Sequence, residues 1–199
     1  IFQGRNWSGE GDYVGAGTIR FVGNPQYFYR SHFNNIILEN EGNANTWKYL
    51  IDTVSVTGNV DVDCYGLVLY EEHMINSDGT GVFAINDVTN DARVYVRGED
   101  NYPSGFSSYT SVPNSYIIYD AFFDQTVRGE VDGADVQYGR LYLRNTSTKT
   151  LQGDIDIENI LNLDVGEVVF DANNYNINLA GSWYNQNDGT FLPGNGEVI

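Results

Sequence analysis

The feature that most constrains this chain is that it repeats itself. Phe33-Asn34-Asn35-Ile36-Ile37-Leu38-Glu39-Asn40 matches Tyr138-Gly139-Arg140-Leu141-Tyr142-Leu143-Arg144-Asn145 in its aromatic start, its apolar pattern and its closing Asn. The match continues beyond these segments. Val54, Val56, Val60 and Val62, ending at Gly66, correspond to Ile155, Ile157, Leu161 and Leu163, ending at Gly166. A second correspondence joins the two ends. Phe2-Gln3-Gly4-Arg5-Asn6-Trp7 resembles Leu179-Ala180-Gly181-Ser182-Trp183, and Gly15-Ala16-Gly17-Thr18-Ile19 resembles Gly194-Asn195-Gly196-Glu197-Val198. Units that recur without charge blocks or Pro-rich linkers between them characterise a solenoid, in which each coil buries its inner face against the next.

The repeated units are strands. Val54-Ser55-Val56, Val60-Asp61-Val62-Asp63, Ile155-Asp156-Ile157 and Tyr175-Asn176-Ile177-Asn178-Leu179 alternate apolar with polar residues, the period of two of a half-buried strand. Gly, Asn and Asp punctuate them, as in Thr57-Gly58-Asn59, Ser77-Asp78-Gly79 and Pro193-Gly194-Asn195-Gly196. No amphipathic helix stands out. The expected fold is therefore all-β, a right-handed parallel β-helix or solenoid segment without natural caps. Residues 1–66 and 138–199 read as solenoid coils, and 67–137 as diverged coils or an inserted β subdomain. Because the Gly17–Gly23 strand has a counterpart that stops at Ile199, both ends are expected to be cuts through a longer polymer.

Charge and cysteine content narrow the function classes. Against 10 Lys and Arg stand 27 Asp and Glu, a formal charge of -17, which repels phosphate backbones and anionic lipid. Neither nucleic acid nor direct membrane insertion is expected, and no apolar run is long enough to span a bilayer. An aromatic content of 14% argues that the chain folds despite its charge. The single Cys64 excludes an intrachain disulfide framework and reads as a buried small hydrophobe.

The repeated segments resemble a repeat of very large Bacteroidota cell-surface adhesins, of the gliding-motility adhesin type, that are cargo of the type IX secretion system. The resemblance rests on the Gly-Thr-hydrophobic-x-Phe-x-Gly strand Gly17–Gly23, the aromatic strand Phe33–Leu38, the strand pair Gly58–Gly66, and Asn174–Trp183 running into Phe191–Val198. It covers about two thirds of the chain. It implies a secreted stalk on the cell surface whose partners are neighbouring repeats of the same polypeptide and a surface polysaccharide, with function in attachment or gliding. It implies no catalytic residue and no cofactor.

Candidate chemistry lies in the carboxylates. Asp61 with Asp63, and Asp154, Asp156 and Glu158, are spaced at i and i+2 so that each set shares one face of a strand, and Asp132 with Asp135, three apart, is a further candidate pair for the carboxylates of a polysaccharide-active enzyme. A solvated outer wall shows the same spacing. Asp63, Asp132 and Asp135 supply the hard oxygen ligands with which calcium could clamp neighbouring coils. His32 and His73 lack the partners of a triad or metal site. Trp7, Trp47, Trp183, Tyr27, Tyr29 and Tyr175 would form a sugar-stacking strip if they faced outward, or core packing if they faced inward. The rival to a structural segment is thus a polysaccharide-active enzyme or carbohydrate-binding module on the same scaffold. Convergence of polar groups in one cleft separates the two.

Overall fold

A chain whose strands are short, alternate in polarity and recur at related positions can satisfy its backbone by stacking each strand on its counterpart in the next coil. The computed structural model describes residues 1–7, 16–40, 46–86, 91–131 and 133–199, and there the chain does this throughout. All ladders between strands are parallel, and the described residues contain no helix. The result is a parallel β-solenoid of about 8 turns.

The chain enters with β1 (Asn6–Trp7) and β2 (Thr18–Phe21). Three-stranded coils follow, in turn β3 (Gln26–Phe28), β4 (Ser31–Phe33) and β5 (Asn35–Glu39), then β6 (Trp47–Leu50), β7 (Val54–Val56) and β8 (Val60–Asp63), then β9 (Gly66–Tyr70), β10 (Ile75–Ser77) and β11 (Val82–Ile85). Next come β12 (Arg93–Arg97), β13 (Ser108–Ser111), β14 (Tyr116–Tyr119), β15 (Gln125–Val127), the long β16 (Gln137–Arg144) and β17 (Thr148–Leu151). The last are the 11-residue β18 (Ile155–Val165), β19 (Val169–Asp171), β20 (Ile177–Leu179), β21 (Ser182–Asn185) and β22 (Thr190–Leu192). Residues 67–137, which fit the sequence repeat poorly, supply strands β9 to β15 of these same ladders.

The strands build three faces. The first runs β1-β3-β6-β9-β12-β14-β16-β18, and β21 extends it on β18. The second holds β4, β7 and β10, to which Ser104 bridges, and then β15, β17, β19 and β22. The third runs β2-β5-β8-β11-β13 and passes through a bridge from Tyr109 to Val136 into the first residues of β16 and β18 and then β20. β16 and β18 therefore turn a corner from the third face to the first without leaving the ladder. Gly139 makes the turn in β16, because a Cβ there would lie 1.9 Å from the Val112 carbonyl oxygen of the coil above. Gly181 does the same between β20 and β21, 1.8 Å from the Asn159 oxygen. Measured along the first face, coil length varies from 19 residues (Tyr49 to Val68) to 27 (Val68 to Tyr95).

Alternation decides what fills the interior. Phe21, Val60, Val62, Leu67, Leu69 and Phe83 point inward and are fully buried, as are their counterparts further along. One stretch of the core is aromatic, with Phe83 packed against Tyr102, Phe106 and Tyr109 at ring separations of 5.7 to 6.4 Å. Burial drives the hydroxyls of Tyr102, Tyr119 and Tyr138 well above their ordinary pKa. Two of these hydroxyls are satisfied by the loop before β16. Tyr138 donates to the Arg128 carbonyl at 2.6 Å, and the Arg128 N–H donates to the Tyr119 oxygen at 3.0 Å.

The repeat seen in the sequence is present but rotated. Val54 and Val56 lie on the second face, whereas Ile155 and Ile157 lie on the third. Val60 and Val62 lie on the third face, and Leu161 and Leu163 on the first. The two blocks are thus displaced by one face around the axis. The matching ends are not displaced, since Phe2 and Leu179 both occupy the third face and Trp7 and Trp183 the first.

Candidate functional site

The acidic residues singled out from sequence are spread along the walls. Asp61 and Asp63 stand on β8 of the third face beside Glu39, which pairs with Arg20. Burial raises the Asp61 carboxyl above its ordinary pKa, opposed by a 2.8 Å hydrogen bond from the Asn86 amide. Asp135 lies next to Val136, three coils further along the same face, and that separation is roughly 14 Å of axial rise. Asp63 and Asp135 therefore do not share a site, and Asp132 falls outside the described residues. Among the described residues, no three His, Cys, Asp or Glu side chains form a metal-binding group.

Asp135 does line a pocket of about 120 Å³ with Glu130, Asp154 and Asp156. Two of these carboxylates are engaged by the next coil. Asp154 accepts from the Asn176 backbone N–H at 2.8 Å and from its amide at 3.1 Å, and Asp156 accepts from the Asn178 amide at 2.8 Å. Glu158 accepts from the Gln137 amide. These ladders tie coil to coil, as Asn and Asp stacking does along a solenoid wall.

The aromatic candidates divide. Trp7, Trp183 and Tyr175 pack against the core, while Trp47 and Tyr27 lie on the outer surface of the first face. Tyr27 stacks on Tyr49 at 5.1 Å and 17°, and Trp47 on Tyr49 at 6.3 Å and 15°. These near-parallel, offset rings pack side by side, and each is half-buried. Cys64 is fully buried, and desolvation pushes its thiol up to about 12.

That outer surface is more elaborate than a solvated wall. Val68, Tyr95 and Ile118 point away from the core, yet Val68 and Ile118 are almost completely covered and Tyr95 nearly so. Trp47, Tyr49, Tyr70, Tyr116 and Tyr142 close over them. Arginines complete the cover. The Tyr116 ring lies between the guanidinium groups of Arg93 at 4.8 Å and Arg140 at 4.6 Å, its register partners in the coils before and after. Arg97 lies over Tyr70 and Tyr95, and Arg144 over Tyr142. Arginine suits this role because its planar, weakly hydrated guanidinium stacks on rings.

At one edge of this surface a groove of about 590 Å³ opens, lined by Tyr70, Arg97, Asp120, Phe122, Phe123 and Arg144, with Asn145 and Val165 at its far wall. Arg97 grips Asp120 through Nε and Nη2, both 3.1 Å from the nearer carboxylate oxygen, and Arg144 pairs through Nε with Asp164. Phe122 is 81% exposed and Phe123 51%. Both sit on the turn between β14 and β15, where large apolar side chains have no local reason to be.

A buried polar device holds that turn. Lys149 on β17 is fully buried, and its ammonium donates to the Ala121 carbonyl at 2.9 Å and to Gln125 Oε1 at 2.6 Å. The Gln125 amide in turn accepts from the Ala121 N–H and donates to the carbonyls of Val96 and Gly98. Desolvation lowers the Lys149 ammonium to about 8. The device recurs near the other end, where Lys48 donates to the Gly23 carbonyl and Gln26 Oε1, and Gln26 donates to the carbonyls of Phe2 and Gly4. Its sequence signal is Gln26 with Thr46-Trp47-Lys48-Tyr49-Leu50 against Gln125 with Ser147-Thr148-Lys149-Thr150-Leu151. A Lys and a Gln at interior positions of an alternating strand mark it, and reading for carboxylates passed over it.

Neither a protein-family model, nor a curated protein, nor a solved structure matches this chain.

Proposed function

We propose that this chain is a non-catalytic structural and adhesive segment of a long, repetitive bacterial cell-surface filament that mediates attachment or gliding. The observation that supports this reading most is the disposition of the carboxylates. Asp61 and Asp63 stand three coils from Asp135, and Asp61, Asp154, Asp156 and Glu158 are each tied to an Asn or Gln of an adjacent coil. The acidic pocket shared by Glu130, Asp135, Asp154 and Asp156 is only about 120 Å³, while parallel ladders run through the whole described length. A glycoside hydrolase needs two carboxyl groups facing each other across the scissile bond at about 5 to 10 Å. A filament needs reach, solubility and lateral spacing, which stacked coils and an acidic exterior supply. Neighbouring repeats of the same polypeptide would be its permanent partners, and no cofactor is required. Calcium clamping would need ligands other than Asp63 with Asp135.

The test is to label the producing cells with antibodies to this chain and to compare attachment with that of cells lacking it. Labelling on extended surface structures and a loss of attachment are expected. Labelling confined to the cell interior, or release of reducing sugar from polysaccharides by the purified chain, would overturn the proposal.

A further inference from the structure

We propose that the groove beside Phe122 binds a neutral glycan, taking a hexose ring on the exposed phenyl faces and its hydroxyls on Arg144, Arg97 and Asp120. Three observations carry this. The apolar component is accessible, because Phe122 and Phe123 are among the exposed large hydrophobic residues and project from the turn. Beside them lie unused polar groups of both kinds. The two terminal nitrogens of Arg144, whose guanidinium lies over Tyr142, make no hydrogen bond among the described residues, and Asp120 keeps acceptor capacity beyond its bonds to Arg97. A pyranose has apolar C–H faces and a rim of hydroxyls that both donate and accept, and such a site offers the complement.

The charge balance selects neutral over acidic sugars. Arg97 is paired with Asp120 within the groove and Arg144 with Asp164 outside its lining, so both guanidinium charges are already offset by carboxylates. Phe123 also lines an adjoining groove of about 510 Å³ that contains Glu71, Glu72, Glu99 and Asp100. A polyuronate or sulfated chain would meet that row of carboxylates and an overall charge of -17. A second copy of this chain would meet the same repulsion.

The site is rigid before any ligand arrives. Ala121 is held at its N–H by Gln125 and at its carbonyl by Lys149, the Asp120 carbonyl accepts from the Asn145 amide, and Asp124 accepts from the Thr148 N–H at 2.8 Å. A turn pinned on both sides of its two phenylalanines loses little entropy on binding. The proposal goes beyond the structural reading above by giving the filament wall a sugar contact of its own. Its failure would leave that reading intact.

The experiment is calorimetric titration of the whole chain with cellohexaose, laminarihexaose, maltohexaose and mannohexaose, and with polygalacturonate, at low and high salt. Saturable binding of at least one neutral hexaose, insensitive to salt, is expected. It should weaken about tenfold or more in Phe122→Ala and Arg144→Ala and persist in Phe122→Trp, whose exposed position leaves the fold unaffected. No binding of any neutral probe up to about 10 mM would overturn the proposal. So would undiminished binding by Phe122→Ala, or salt-sensitive binding of polygalacturonate alone. Concentration-dependent self-association that disappears in Phe122→Ala would assign the groove to a second copy instead.

Discussion

Replacing Gln125 with Leu keeps the side-chain volume but removes four hydrogen bonds from a fully enclosed site. The Val96 carbonyl retains the Asp120 N–H at 3.2 Å, whereas the Ala121 N–H and the Gly98 carbonyl are left with no partner. At about 1–3 kcal/mol for each of the two neutral orphans and about 1.5–3 kcal/mol for the bond lost by the Lys149 ammonium, Gln125→Leu should cost about 4–9 kcal/mol. Lys149→Met is different. Gln125 Oε1 keeps the Ala121 N–H, the Ala121 carbonyl keeps the Ser147 hydroxyl at 3.3 Å, and the burial cost of the ion is removed. Its effect should stay within about 1 kcal/mol of zero. The double variant lacks the stranded ammonium and should therefore be more stable than Gln125→Leu alone by at least about 1.5 kcal/mol. Urea titration followed by far-UV circular dichroism measures all four corners of this cycle, with constant m-values confirming that the same unit unfolds each time. If Lys149→Met costs as much as Gln125→Leu, or the double variant shows the sum of the two, the account of this device is wrong.

Further expectations follow from the same structure. The Lys149 ammonium titrates near 8 in the folded chain against 10.5 ordinarily. Between those values the unfolded chain holds a proton that the folded chain has released, so the stability difference between wild type and Lys149→Met should shift in favour of wild type as pH rises from about 8 to 10.5. A flat difference over that window would contradict the assignment. Cys64, fully buried with its thiol at about 12, should resist Ellman's reagent in the native chain and react only along the urea transition. Fast labelling without urea would place it elsewhere. Phe83→Ala, which empties the aromatic centre of the core, should cost about 3–5 kcal/mol in the same titration, and a loss below about 1 kcal/mol would mean that the coils there are not close-packed.

The solenoid was legible because its local rule is simple. Val54-Ser55-Val56 and Val60-Asp61-Val62-Asp63 can bury one face only, and the Gly and Asn between them turn the chain onto its next side. The rule fails where outward residues are themselves covered. Gly66-Leu67-Val68-Leu69 reads as an apolar run, yet Val68 faces out and is sealed by Trp47, Tyr49 and Tyr95 from other coils. The groove was hidden for the same reason. Phe122 and Phe123 look like core in a linear reading, and their partners Arg97 and Arg144 lie one coil away on either side, across the turn that carries them.

By itself the sequence determined the class of fold, the inward-facing sets and the existence of two related blocks. All of these depend on alternation within a few residues. Only the tertiary structure decided which face each block occupies. Coils that measure 19 to 27 residues along the first face stack into the same three faces, so extra residues are absorbed at corners and the chain drifts in phase around the axis. Val54 and Ile155 thus hold equivalent places in the repeat and different faces of the solenoid. Phase of this kind is set by the sum of many corner geometries and by pairing with the coil above, and neither is encoded in any one segment.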